Sequence, residues 1–232
     1  MTDTPELSIQ RTAFGASFSH AVDDADAKLV WRSTLPGAST YDRAAHVLRK
    51  LQAEGATAVD LLPLALPASW MVNAKATSHA MQRWLARPAL DAWAVLLDQL
   101  DSGLSPADWL ARPANERAAV TAAVTVLASG GNGASLASVS KVLALLRPQL
   151  VPLMDDAALW FALELVAEPA TADSPSAPAT AFVPMLDWFA QQVIASEEQL
   201  IALAVRHDRA VLDAAQVLDR LLWIESWGHR LR

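Results

Sequence analysis

Cysteine is absent from the 232 residues, which excludes disulfides, iron–sulfur clusters and thiol chemistry. Isoleucine occurs only four times and tyrosine once, and the apolar content is mostly Ala and Leu. That balance suits helices better than strands. No run of 18 uncharged apolar residues exists, and the most apolar stretch, Leu61–Val72, is cut by Pro63 and Pro67, so no membrane span is expected. The first residues, MTDTPELSIQR, lack a basic region followed by an apolar one. No signal peptide is expected, and a cytoplasmic address follows as the default. His20, His46, His79, His207 and His229 are scattered without metal-ligand spacing. There is no P-loop, no dinucleotide glycine fingerprint and no serine nucleophile elbow, so no cofactor is expected.

Positive charge is also scarce in one place. Between Arg147 and Arg206 there is no Lys or Arg, while Asp155, Asp156, Glu164, Glu168, Asp173, Asp187, Glu197 and Glu198 are all acidic. Residues 1–147 carry 13 basic and 13 acidic side chains, so the net charge of −7 resides in that segment. Bulk electrostatics does not favour a nucleic-acid partner, yet a locally neutral surface does not forbid one.

What is present is a globular composition, 53% hydrophobic and 19% charged. The punctuation predicts a compact all-α fold, a single helical domain over 1–232. Ser39-Thr40 predicts a helix to about Ala53 with Ala44, Val47, Leu48 and Leu51 buried and Gly55 closing it. A short helix is expected over Thr57–Leu66 with Thr57 as its cap. Others are expected from Thr77 or Ser78 to Ala86, from Pro88 to Leu100, after Ser105-Pro106-Ala107-Asp108, and from Pro113 to Ala128. Helices over Ala134–Leu146 and Asp155–Ala167 follow, then a flexible loop over 168–181. Phe182–Val205 and Asp208–Trp227 complete the chain. No window alternates apolar and polar residues convincingly, so no strand is expected. The pentapeptide WLARP occurs at Trp84–Pro88 and Trp109–Pro113, read as one helix-break solution used twice rather than as a repeat architecture.

Chemistry concentrates in ASGGNGASLASVSKVLALLRPQLVPLMDDAALWFAL. Glycines at 130, 131 and 133 between two helices predict a sharp turn with exposed amides. Amides there, at the positive end of the following helix, can hold a phosphate with few basic side chains. An ordinary helix–helix turn is the plain alternative.

The order of a GxG turn, an apolar helix, a Pro-x-x-x-Pro link and an Asp opening the next helix resembles the helix-hairpin-helix DNA glycosylase superfamily. The resemblance implies a helix-hairpin-helix-like core over about 113–167. It also implies DNA contacts at Gly131, Gly133, Ser135 and Lys141, with Asp155 as the catalytic carboxylate and Asp156 as its competitor. SKVLALLRPQLVPLMDD further resembles a motif of uncharacterised bacterial helical proteins, S-K-x-L followed by P-x-L-x-P-x-x-D, and TAVDLLPLAL resembles a second piece of that group. Ser129-Gly130 replaces the family's Leu-Pro-Gly opening. Ser135 stands where bifunctional members carry a Lys, so the resemblance implies a monofunctional hydrolase acting as a monomer on double-stranded DNA.

An ionised Asp can stabilise the positive charge that grows on the sugar as an N-glycosidic bond breaks. Trp160, Tyr41 and Trp70 are candidate walls for a flipped base, each with core packing as the alternative. Excision of bulky modified cytosines from phage DNA, an antiphage defence, is one version of this activity that no residue specifies. Two rivals remain: a non-catalytic nucleic-acid-binding module, and an immunity-type protein-binding module whose acidic 155–198 segment meets a basic surface.

Overall fold

Four helix starts in this chain, those following Thr77, Ser105, Ser135 and Asp213, coincide with short polar side chains that take up orphan backbone amides. Thr77 Oγ1 accepts from the Ala80 N–H at 3.2 Å, and Ser135 Oγ from the Ser138 N–H at 3.2 Å. Ser105 Oγ accepts from the Asp108 N–H at 3.1 Å, while the Asp108 carboxylate receives the Ser105 N–H at 3.3 Å. Asp213 and Gln216 exchange the same pair of bonds, at 2.9 and 3.3 Å.

The computed structural model describes residues 6–10, 17–21, 38–70, 76–129, 131–154, 178–206 and 213–230. In chain order these form β1 (Glu6–Gln10), β2 (Ser17–Ala21), α1 (Ala38–Ala53), α2 (Leu62–Ser69), α3 (Ser78–Trp84), α4 (Ala89–Gln99), α5 (Pro106–Ala111) and α6 (Ala114–Ala128). Then come α7 (Leu136–Leu146), a 3-10 turn (Ala179–Ala181), α8 (Phe182–Ala195), α9 (Glu197–Arg206) and α10 (Ala214–Arg230). The fold is all-α. The helix expected over 155–167 and most of the loop at 168–181 lie outside the described residues.

Four local readings need correction. β1 and β2 pair antiparallel, with Leu7 opposite His20 and Ile9 opposite Phe18. Each strand is five residues, a window in which alternation is too short to stand out, and its cross-strand partner supplies what the local pattern lacks. In α1 Leu48 is buried and Ala44 and Leu51 are partly buried against the core as expected, but Ala45 rather than Val47 completes that face, and Val47 is 52% exposed. The second short helix begins at Leu62, after a turn that Thr57 and Asp60 close with the same reciprocal bonds that open α5 at Ser105. The long helix expected over Phe182–Val205 breaks at Ser196. Glu197 and Glu198 then open a new helix, where the positive end of its dipole favours their charge.

The two WLARP copies break their helices differently, α3 ending at Trp84 and α5 running on to Ala111, and share only the tryptophan anchor. Trp84 and Trp109 are both buried, and each anchors its helix end by donating its indole N–H: Trp84 to Leu127 O at 2.9 Å, Trp109 to Asp187 Oδ1 at 2.9 Å. Asp187 also receives Arg117 Nη1 at 2.8 Å, so one carboxylate ties α5, α6 and α8 together.

Helix α7 is the centre of the molecule. All eleven of its residues are buried, and it packs against α1, α2 and α6. Around it lie Trp93, Trp109, Trp188, Phe182 and Phe189, fully enclosed, with the Trp84 and Trp93 rings edge-to-face at 5.7 Å. Arg147, just past α7, is 4% exposed. Its guanidinium donates to the carbonyls of Leu100, Leu97 (3.2 Å) and Leu146 (2.7 Å), and so caps the end of α4. Burial pulls its pKa below the ordinary value, with Asp101 partly offsetting that.

Candidate functional site: the Asn132-Gly133 hairpin

The link between α6 and α7 turns on three consecutive residues of positive φ: Gly131 (+64°), Asn132 (+53°) and Gly133 (+81°). The Ala134 N–H returns to Gly131 O at 2.9 Å. Asn132 and Gly133 are thus the central residues of a type I′ turn, which requires positive φ at both places and favours Asn-Gly. The tight turn expected at Gly131 and Gly133 is present. Its chemistry rests on Asn132 as much as on the glycines, a dipeptide signal visible in the sequence.

Three contacts fix the hairpin to the body of the protein. The Ser138 hydroxyl donates to Gly133 O at 2.7 Å. The Thr77 N–H donates to Asn132 O at 3.1 Å. Arg83 Nη2 donates to Gly131 O at 3.2 Å. With its carbonyls engaged from the protein side, the turn leaves the Gly133 and Ser135 N–H groups, both on partly exposed residues, donating to nothing among the described residues. Ser135 itself caps α7 through its side chain.

Arg83 is a site residue that the sequence did not signal. It makes no ion pair with a carboxylate among the described residues, and its Nε is buried without a hydrogen-bond partner. A guanidinium thus sits beside the hairpin with no close acid among the described residues. It comes from 48 residues upstream on α3, a distance that no local pattern bridges.

The remaining candidates divide. Trp70, 48% exposed at the end of α2, donates its indole N–H to Ala76 O at 2.7 Å, and the next residue, Thr77, binds the hairpin. Trp70 and the turn are therefore held by the two ends of one peptide unit, the Ala76–Thr77 amide. Lys141 is 5% exposed, enclosed on the central helix rather than presented beside the turn. Asp155, Asp156 and Trp160 lie outside the described residues, as does the side chain of Tyr41. Among the described residues no three of His, Asp and Glu gather as a metal site, and no helix is long and apolar enough to cross a membrane. Comparison of the chain with known protein families, curated proteins and solved structures finds no match.

Proposed function

We propose that this chain is a DNA-binding protein that grips the phosphate backbone at the Asn132-Gly133 hairpin, and that it acts as a monofunctional DNA glycosylase. The observation that carries the binding reading is a left-handed turn at which, among the described residues, the Gly133 and Ser135 amides donate to nothing and the Arg83 guanidinium pairs with no acid. An oriented amide pair with one cation suits a singly charged phosphate diester and needs no broad basic surface. That agrees with a chain whose net charge is −7.

The catalytic half of the proposal rests on sequence. Asp155 stands after the hairpin, the apolar helix and the proline link, where the glycosylase resemblance puts its carboxylate, with Asp156 beside it. Ser135 in place of an amine points to hydrolysis that leaves an uncut abasic site. Trp70, tethered next to the hairpin, is the aromatic best placed to meet a strand held there.

The binding claim is tested by duplex retention across a salt series. Arg83→Gln should lower the slope of log K against log salt by about 0.9, the value for one lost phosphate contact. Gly133→Asn, which tolerates positive φ, should keep both fold and retention, whereas Gly133→Val should lose retention. An unchanged slope in Arg83→Gln, with Gly133→Val binding as well as the wild type, would assign the turn a purely architectural role.

A further inference from the structure

A second place in the fold has features of a binding site and is independent of the hairpin. The first turn of α5, the corner between α8 and α9, and the start of α10 enclose a cavity of 360 Å³. That is in the lower part of the range for small-molecule sites, about 300–1,000 Å³. Leu104, Pro106, Val193, Ile194 and Ala214 give it an apolar wall. Among the described residues its lining includes two charged ones, Asp213 and Glu197, and no Lys or Arg.

Asp213 is the informative one. It is half-buried at the start of α10, where one carboxylate oxygen receives the Gln216 N–H at 2.9 Å. It forms no ion pair among the described residues. Arg49 and Arg220 favour its ionised form from a distance, as do the amides of Gln216 and Ala215, yet burial outweighs them and raises its pKa. The carboxylate is thus partly desolvated and borders an apolar cavity, with no cation at ion-pair distance among the described residues.

We propose that this cavity binds a small organic cation with an apolar body, its ammonium held by Asp213 and Glu197 and its hydrocarbon packed on Leu104, Val193 and Ile194. A bound cation adds the close ion pair that Asp213 makes with none of the described residues. An anion meets two carboxylates, and a neutral molecule gains only the apolar contact.

Phenethylamine, 2-phenylethanol and 3-phenylpropionate share one apolar body and differ in charge. They are titrated against the full chain, with binding followed by methyl NMR shifts of Val193, Ile194 and Ala214. The amine should bind at least about tenfold more tightly than the alcohol, and the acid more weakly than both. Asp213→Asn keeps a good helix cap and should lower amine affinity about tenfold while leaving the alcohol unchanged. Glu197→Gln should weaken the amine alone in the same sense, and Glu198→Gln, outside the cavity, should change nothing. Ala214→Leu should exclude amine and alcohol alike. Equal affinity for amine and alcohol, or no saturable shift at these methyls, would overturn the proposal.

Discussion

Replacing Arg147 by Met removes a guanidinium that is 4% exposed and donates to three main-chain carbonyls. Leu97 O and Leu100 O lie at the end of α4, where carbonyls have no partner within their own helix. Hydrogen bonds from a charged donor contribute about 1.5–3 kcal/mol each. The substitution also ends the cost of burying a charge that has no close carboxylate, a term of several kcal/mol with the opposite sign. The difference leaves a net loss of about 2–4 kcal/mol. For a chain of this size that corresponds to a fall in Tm of about 5–15 °C. Arg147→Lys should recover little, because a single ammonium cannot reproduce the fork that serves carbonyls on two helices. Urea and thermal unfolding followed by far-UV circular dichroism measure the effect. A loss in Arg147→Met below about 0.5 kcal/mol, the range of an ordinary surface change, would refute the reasoning. So would a gain in stability, which would mean that the cost of burying the charge exceeds the capping it provides.

Two further expectations concern stability. Burial raises the Asp213 pKa above the ordinary 3.8, so the folded chain holds that proton to higher pH than the unfolded chain does. Its stabilising contribution is complete below the ordinary value and is lost as pH rises through the folded one. Asp213→Asn should therefore match the wild type near about pH 3 and become the more stable protein toward about pH 7, as measured by urea midpoints across that range. Trp84→Phe keeps most of the ring but leaves Leu127 O without its 2.9 Å donor, and should cost about 1–3 kcal/mol in the same unfolding assay.

Helix starts were legible because a cap is a contract between a side chain and amides two or three residues away. Thr77, Ser105 and Ser135 carry it in their own local sequence. The Asn132-Gly133 turn was legible for the same reason, since positive φ is a property of the residues that adopt it. Thr57 is the instructive failure: it and Asp60 make the reciprocal bonds of a capping box, as Ser105 and Asp108 do, yet only a turn follows and the helix starts at Leu62.

Charge was the least legible property. Local sequence gives no sign of the different places that Lys141, Arg147 and Arg83 take in the fold. Arg147 turns inward onto carbonyls nearly fifty residues away, Lys141 is enclosed on the central helix, and only Arg83 stands at the hairpin. Whether a cation faces water depends on acceptors brought near by the fold, and those acceptors are distant in sequence. The same holds for Asp187, whose two donors lie 70 and 78 residues upstream. Between Asp155 and the hairpin the link remains one of motif order, so chemistry must test it.

The most direct measurement is base release from duplexes carrying a panel of damaged and modified bases, scored as alkali-labile abasic sites, for the wild type, Asp155→Asn, Asp156→Asn and the double variant. The account predicts release by the wild type on at least one substrate, with the strand uncut and no borohydride-trapped complex, as Ser135 requires. Asp155→Asn should bind DNA normally and release base about 100- to 1,000-fold more slowly, the usual loss when a well-aimed charge is removed. Asp156→Asn, whose side chain would point about a hundred degrees away on the same turn, should do much less harm. Full activity in both single variants and in the double would contradict the mechanism, and no release by the wild type on any substrate would contradict the glycosylase itself.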